Sequence, residues 1–188
     1  NPTGGVLTKE DLQNIAELLA DRDIIVLSDE IYDNIVYDQK TYSITSFPGM
    51  REKTIILNGF SKTYAMTGWR IGYGVMPKEI AVHIAKLVTN STSCLAGFTQ
   101  MAAIEALTGE QDEAKRRVEQ FKIRRDRIVA GLNEIPGVKC FKPAGTFYVF
   151  PNVKQFGMSS SKIADYLLHE AGVATLGGSS FGYMVKAI

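Results

Sequence analysis

The chain has 188 residues, of which 45% are hydrophobic and 22% are charged. These fractions fit one domain, or one domain with part of another, and they exclude wholesale disorder. Lys and Arg number 21 against 20 Asp and Glu, so the net charge of +1 favours neither nucleic acid nor an anionic membrane as a partner. No apolar run approaches the roughly 18 residues that a membrane-spanning helix needs.

The cysteines, the histidines and the first residues bear on the compartment and the extent of the protein. Cys94 and Cys140 form no CxxC motif, and His83 and His169 lie far apart in the sequence, which argues against a structural zinc site. Such cysteine usage is typical of a reducing compartment, and we expect a cytoplasmic protein. The chain opens at Asn1 in the turn-forming run NPTGG, so we expect a piece of a longer protein.

Helical and strand patterns alternate in the first half of the chain. Thr8 is a suitable N-cap for a helix whose apolar residues recur at helical spacing. Continuous apolar runs at 24–27 and 54–57 are typical of parallel strands that are buried on both faces. Residues 71–75 predict a third strand that runs back, and Pro77 then marks the start of another helix. The pattern predicts an α/β unit.

The pattern changes in the second half of the chain. One long amphipathic helix is predicted over 112–135, because its apolar residues are spaced alternately by four and three. Strands are predicted at the aromatic segment 147–150 and at 173–176, with a capped helix over 159–170 between them. We place a domain boundary near Gly109, where an α+β unit begins.

Polar side chains follow the first two predicted strands at the point where each strand ends. Asp29 follows the first strand, with Tyr32 one turn later, and Ser61 and Lys62 follow the second. Ligands of open α/β sheets bind beyond the carboxyl ends of the strands, so these groups converge if the two strands are neighbours. Arg70 precedes the third strand and could bind a phosphate or carboxylate through two parallel hydrogen bonds. Each residue alone is more often a turn, surface or packing residue, so this placement leaves the chemistry open.

Four motifs resemble those of the class I and II aminotransferases, which are fold-type-I enzymes that depend on pyridoxal phosphate. The run 61–73, SKTYAMTGWRIGY, resembles the family's lysine signature, in the form of its aspartate aminotransferase-like branch. The runs 1–4 (NPTG), 28–32 (SDEIY) and 143–148 (PAGTFY) resemble the family's Asn-Pro-Thr-Gly turn, its Asp-Glu-x-Tyr element and the entry to a small-domain strand. The motifs keep the family's order and cover nearly the whole chain, but only the C-terminal half of the family's fold.

The resemblance implies an α/β fold class: a three-layer, mostly parallel sheet from the large cofactor-binding domain, present in part, followed by a smaller α+β C-terminal domain. Residues 1–108 would belong to the large domain, and 109–188 to a small domain that we expect to be incomplete. The family's glycine-rich phosphate-binding turn, its ring-stacking aromatic residue and a tyrosine from the partner subunit all lie upstream of the Asn-Pro turn. By itself, this piece is therefore expected to be inactive.

The family's chemistry implies roles for Lys62 and Asp29. Lys62 would form a Schiff base with the aldehyde of pyridoxal phosphate, and its amine, once displaced by an amino acid, would move the substrate's α-proton to the cofactor. Such a base acts in its neutral form, which desolvation and nearby positive charge favour. Asp29 would face the pyridine nitrogen and keep it protonated, so that the ring can accept the electrons of the carbanion.

Four further residues would hold the cofactor according to the same resemblance. Tyr32 and Asn1 would donate hydrogen bonds to the 3′ oxygen of the ring, which tunes the proton affinity of the cofactor. Ser61 and Arg70 would hold the phosphate, with the guanidinium acting as a charge-assisted fork. The implied catalytic residues are therefore Lys62, Asp29 and Tyr32, and no metal ion is implied.

The C-terminal end departs from the family's pattern. The family has a Gly-x-x-Arg segment whose arginine binds the substrate α-carboxylate, whereas no arginine follows Arg127 in this chain. Lys186 is a poor substitute, because a lysine cannot form the two parallel hydrogen bonds of an arginine. The tail is either truncated or joined across a stretch that is not part of the sequence, and the sequence leaves both possibilities open.

The function implied by the resemblance is transamination between an amino acid and a 2-oxo acid, in a homodimer without nucleic-acid or membrane partners. A carbon–sulfur β-lyase or a ring-closing synthase of the same fold would use the same lysine. A non-catalytic aminotransferase-like fragment, such as half of a regulator, is a further alternative. No residue separates these functions, because the choice of reaction depends on substrate contacts that lie partly outside this chain.

Overall fold

The computed structural model describes residues 1–182 and divides into two compact units. The sheet unit comprises Val6–Glu119. The helical unit comprises Asn1–Gly5 together with Gln120–Ile188, and it is described through residue 182. The division falls inside a long helix that begins after Gly109, and the domain boundary near Gly109 stays a prediction.

The sheet unit has one helix before its three strands and further helices after them, which agrees with the predicted α/β class. Its helices are α1 (Lys9–Leu19), α2 (Lys78–Thr92) and α3 (Gly97–Thr108). Its strands are β1 (Val26–Asp29), β2 (Thr54–Gly59) and β3 (Gly72–Val75). Short 3-10 helices lie at Ile44–Ser46, Arg51–Lys53 and Thr67–Trp69.

The three strands form one sheet in the order β1-β2-β3. β1 runs parallel to β2, with Asp29 opposite Leu57. β3 runs antiparallel to β2, with Gly72 opposite Gly59, as predicted for a returning strand. These three strands therefore form a mixed sheet, because β2 and β3 are joined without the crossover helix that a parallel neighbour needs. The mostly parallel sheet of the whole large domain stays a prediction. The three-layer arrangement stays a prediction.

Helix α1 begins where the sequence predicts. Thr8 Oγ1 accepts the N–H of Asp11 at 3.1 Å, and Asp11 Oδ2 accepts the N–H of Thr8 at 2.8 Å, which forms a reciprocal capping box. At the other end of α1, the Lys53 ammonium donates to three carbonyl oxygens at 2.9–3.1 Å. Lys53 directly precedes β2, so this cap ties the end of α1 to the start of that strand.

Helix α3 is the element that the sequence pattern missed, because apolar residues occur on all its sides and leave no helical period. Its Ala103 joins a buried cluster with Phe60, Met66 and Ile71. The cluster packs the connection between β2 and β3 against α3, so α3 supports the segment that carries Lys62.

In the helical unit, as far as residue 182, two helices lie where they were predicted. They are α4 (Asp112–Glu134), which begins in the sheet unit, and α5 (Ser160–Ala171). Short 3-10 helices lie at Lys154–Phe156 and Gly178–Phe181. Within residues 1–182, no helix is both long and apolar enough to cross a membrane.

The strands predicted at 147–150 and 173–176 do not form, although an antiparallel bridge joins Lys139 and Asn152 in the described part of the helical unit. The α+β class of this unit stays a prediction. The aromatic residues of the first segment pack on other rings instead. The Phe147 ring lies 5.4 Å from that of Phe121 on α4, and the Phe150 ring lies 5.9 Å from that of Phe181. High aromatic content predicted a strand, but strand formation also requires a neighbouring extended segment to pair with.

Two of the recognised motifs meet at Gly4, in the helical unit. The Gly4 carbonyl accepts the N–H groups of Ala144 and Gly145 at 2.9 and 3.0 Å. Gly4 has φ +72°, and a Cβ at this position would collide with Cβ of Pro143. The Pro143 carbonyl in turn accepts a hydrogen bond from the buried guanidinium of Arg125 at 3.1 Å. The turn that carries Asn1 therefore depends on a glycine for both its backbone conformation and its packing.

Gly4→Ala should destabilise the full-length protein by about 3 kcal/mol or more, because it adds a collision to the strain of a left-handed alanine. Gly49→Ala is the matched control, because Gly49 has the same φ of +72° but no atom within 4 Å of the position that a Cβ would take. The control should cost about 1–2 kcal/mol in denaturant unfolding. Equal losses for the two variants would contradict the packing of Gly4 on Pro143.

Candidate active site

The ends of β1 and β2 bring together the predicted amine and phenol. Asp29 ends β1 opposite Leu57, and Lys62 follows β2 by three residues. The Lys62 ammonium lies 5.8 Å from the centroid of the Tyr32 ring, within the range of a cation–π contact. Both side chains are half-buried. The expected convergence of Lys62 and Tyr32 at the carboxyl edge of the sheet is therefore observed.

Asp29 occupies the turn that carries the chain from β1 towards Tyr32. Its Oδ1 accepts the N–H of Ile31 at 3.2 Å, a local bond of the type that stabilises tight turns. The next residue, Glu30, donates its N–H to the Leu57 carbonyl at 2.8 Å. The carboxylate of Asp29 is exposed at the same edge of the sheet as Lys62, where it could face a bound ligand.

The loop 60–70 connects β2 to β3 and carries Ser61, Lys62 and Arg70. Its base is closed by a hydrogen bond from Met66 N–H to the Phe60 carbonyl at 3.2 Å. Arg70 has φ +53°, in the left-handed region that non-glycine residues seldom occupy, and its Nη1 donates to the Thr67 carbonyl at 2.9 Å. Strained backbone of this kind is enriched at functional sites, where the surrounding structure compensates its cost.

Arg70 lies at the same edge of the sheet as Lys62. Gly59 pairs with Gly72 at the end of the β2–β3 ladder, so the two ends of the loop are neighbours in the sheet. Lys62 lies three residues after Gly59, and Arg70 lies two residues before Gly72. The guanidinium is exposed, and half-buried Ser61 directly precedes Lys62. The structure thus brings five of the six predicted residues to one edge of the sheet unit, whereas Asn1 belongs to the helical unit.

Two contacts that the sequence analysis missed hold the lysine loop from outside. Arg117 Nη1 donates to the Thr63 carbonyl at 3.1 Å, and the Tyr64 hydroxyl donates to Gln111 Oε1 at 3.2 Å. Gln111 also donates to the Gly109 carbonyl at 2.8 Å, which fixes it at the start of α4. Arg117 lies three residues after one of the apolar positions of α4, and therefore at the edge of the apolar face of that helix. This position was the sequence signal from which a contact of Arg117 with the rest of the unit could have been predicted.

A second polar group lies beside the loop, around Asp33. Burial raises the pKa of Asp33, and hydrogen bonds from Asn58 and Asn34 counteract that rise. Burial also raises the pKa values of Tyr64 and Tyr73, and the negative charge of Asp33 adds to this effect. Both phenols therefore keep their protons at neutral pH and can act as hydrogen-bond donors.

Comparisons with known proteins identify the family. A family model described as aminotransferase class I and II matches residues 1–187, and the chain belongs to this family. A probable N-acetyl-LL-diaminopimelate aminotransferase of Bacillus subtilis is 46% identical over 181 residues, which cover 96% of this chain and 45% of that protein. An aspartate aminotransferase of Pyrococcus abyssi is 43% identical, over 97% of this chain and 47% of that protein.

Solved structures give the same result. The crystal structure of an aromatic aminotransferase from Pyrococcus horikoshii matches this chain with a TM-score of 0.92 at 43% identity. The match covers 97% of this chain and 49% of that one. The chain thus spans about half the length of the relatives that it matches. The names of the relatives differ in substrate, so family membership leaves the substrate open.

Arg117→Met should loosen the lysine loop, because it removes a charge-assisted hydrogen bond to the Thr63 carbonyl. We expect amide hydrogen exchange of residues 62–66 to accelerate about tenfold in the full-length protein. Arg116→Met is the matched control. Arg116 is 68% exposed and, like Arg117, contacts Glu113, with the shorter distance of the two, so this variant also removes an arginine and its ion pair. If the amides of residues 62–66 exchange at the same rate in both variants, Arg117 does not support the loop.

Proposed function

We propose that the protein is a pyridoxal-phosphate-dependent aminotransferase, which transfers an amino group from an amino acid to a 2-oxo acid. The observation that carries the proposal is the position of Lys62, whose ammonium lies 5.8 Å from the Tyr32 ring centroid at the edge where Asp29 ends β1. Membership of the class I and II aminotransferases supports the same reaction. Because the chain spans about half of its relatives, the activity is proposed for the full-length protein.

The chemistry of the available side chains fits pyridoxal phosphate. This cofactor has a phosphate, a basic ring nitrogen and an aldehyde, which call for a cation, a carboxylate and an amine respectively. Arg70, Asp29 and Lys62 provide these three groups at one edge of the sheet. Ser61 would add a hydroxyl to the phosphate site, and Tyr32 would donate to the 3′ oxygen of the ring.

Asn1 would be a second donor to that ring oxygen, in line with the family resemblance. Its turn is fixed by the contacts of Gly4 with residues 143–145, which restrict the backbone that carries the amide. The proposed role of Asn1 is separate from that of Lys62, because it concerns orientation of the ring and not proton transfer.

Pyridoxal phosphate, when bound, supplies an aldehyde that bonds to amines and a ring that withdraws electrons from the substrate α-carbon. Lys62 would hold the cofactor through its Nζ atom and, after release, accept the α-proton at that atom. The amine must be uncharged to accept that proton. Asp29 would keep the ring nitrogen protonated through its negative charge.

The substrates are proposed only as a class, an amino acid and a 2-oxo acid. Lys186, considered from the sequence as a substitute for the α-carboxylate arginine, lies outside the described residues. The homodimer and the cytoplasmic location stay predictions. They are tested by the mass of the purified full-length protein in solution and by fractionation of cells.

Lys62→Ala should abolish transamination in the full-length protein while leaving it folded, because no other amine replaces the one that bonds to the cofactor. Lys40→Ala is the control, since Lys40 is an exposed lysine of the same unit. The assay follows disappearance of a 2-oxo acid and formation of its amino acid, with thermal unfolding as the test of folding. Turnover retained in the Lys62 variant would refute the assigned role.

Trapping of the cofactor tests the same lysine without relying on turnover. After incubation with pyridoxal phosphate and reduction with borohydride, we expect peptide mapping to locate the adduct on Lys62. An adduct elsewhere, or none, would favour the non-catalytic alternative. Release of ammonia without use of a 2-oxo acid would instead indicate a β-lyase.

Asp29→Ala should lower kcat by about hundredfold or more, because the ring nitrogen loses the charge that keeps it protonated. Asp21→Ala is the control, as Asp21 is an exposed aspartate beyond the end of α1. Single-turnover absorbance changes measure the proton-transfer step directly. Wild-type rates in the Asp29 variant would place this carboxylate outside the reaction.

A further inference from the structure

Asp33 and Asn58 lie beside the proposed site, and the proposed function gives neither of them a role. Asn58 Nδ2 donates to Asp33 Oδ2 at 3.0 Å, and both residues are half-buried. Asp33 directly follows Tyr32, and Asn58 is the next-to-last residue of β2, shortly before Ser61 and Lys62. The hydrogen bond therefore joins the two segments that carry the proposed cofactor-binding groups.

Each of the two side chains is held by a further local bond. Asn58 Oδ1 accepts the N–H of Gly59 at 2.7 Å, and Asp33 Oδ1 accepts from Asn34 Nδ2 at 2.7 Å. The N–H of Asp33 also donates to the Glu30 carbonyl at 3.0 Å. These contacts limit rotation of both side chains.

The hydrogen bond between Asn58 and Asp33 lies just beyond the last backbone pair of β1 and β2. The last pair of the β1–β2 ladder is Asp29 with Leu57, followed by the hydrogen bond from Glu30 N–H to the Leu57 carbonyl at 2.8 Å. The chain then turns, with Ile35 N–H donating to the Tyr32 carbonyl at 2.9 Å. The side-chain bond thus extends the connection between the two strands into the turn that carries Tyr32.

We propose that the hydrogen bond between Asn58 and Asp33 positions Tyr32 and Asp29 relative to Lys62. The inference rests on the proposed function, since it concerns the alignment of that function's groups. Asp33 and Asn58 are then positioning residues that act through their sequence neighbours. Alignment of this kind matters because a displacement of about 1 Å at reacting groups can cost about a hundredfold in rate.

Exchange of the two side chains gives a direct test. Asp33→Asn keeps an acceptor oxygen for the Asn58 amide, so the bond survives in this single variant. Asn58→Asp removes the donor and places two carboxylates in contact, which repel each other. The double variant Asp33→Asn/Asn58→Asp restores the bond with donor and acceptor exchanged. In the double variant, the carboxylate at position 58 still accepts from Gly59, and the amide oxygen at position 33 still accepts from Asn34, since the amide nitrogen forms the restored bond.

The measurements are the dissociation constant of pyridoxal phosphate, kcat at saturating cofactor and the unfolding temperature, all on the full-length protein. We expect Asn58→Asp to weaken cofactor binding about tenfold and to lower kcat about tenfold or more. We expect Asp33→Asn and the double variant to remain within about threefold of the wild type. A bond with a merely structural role would lower the unfolding temperature and leave kcat of the folded protein unchanged.

A second comparison covers the case in which Asn58→Asp does not fold. Asp33→Ala removes the acceptor without adding a charge, and it should lose about tenfold in kcat where Asp33→Asn does not. Asp21→Asn is the control for loss of a carboxylate, because Asp21 is exposed beyond α1. Equal kcat values for Asp33→Ala and Asp33→Asn, or a double variant no better than a folded Asn58→Asp, would overturn the proposal.

Failure of this inference is distinguishable from failure of the proposed function. A wild-type protein that neither binds pyridoxal phosphate nor transaminates would refute the proposed function. A wild-type protein that does both, with all the Asp33 and Asn58 variants equal to it, would refute only the positioning role.

Discussion

The parallel pairing of β1 with β2 is the constraint on which the arrangement of the site depends. It sets Asp29 opposite Leu57 and brings the carboxyl ends of both strands to one edge of the sheet. Side chains alternate between the two faces of a strand, so a slip of one residue would move Asp29 to the other face. Two contacts stabilise this register. The apolar residues of α1 pack against Val26 at the start of β1, and Lys53, which directly precedes β2, caps the end of α1.

The loop 60–70 shows how a strained segment is kept in one conformation. Ala65 and Arg70 both have φ of +53°, which is unfavourable for side chains with a Cβ. Burial of Phe60, Met66 and Ile71 against α3 offsets this cost, and Arg117 holds the loop from the side of α4. Rigidity at Lys62 therefore comes from elements distant in sequence, which is the usual way in which a scaffold holds a functional loop.

The sequence predicted those elements whose formation depends on residues close together in the chain. The Thr8 capping box, the long helix α4 and the capped helix α5 depend on residues within one or two helical turns, and all three were predictable. The segment 147–150 was not, because its aromatic residues indicate burial in either a strand or a ring cluster. Helix α3 was missed for a related reason, since a helix that is apolar on every side has no amphipathic period.

The sequence by itself determined the motifs, the family resemblance and the polar residues that follow each strand. Only the tertiary structure decided that β1 and β2 are neighbours, that Asp33 contacts Asn58 across 25 positions, and that Arg117 reaches Thr63 across 54. The reason is that composition and spacing record what each segment can form, whereas contacts between distant segments depend on the packing of the whole unit. Residues such as Arg117, which look like solvated surface when only their charge is considered, acquire their role only through that packing.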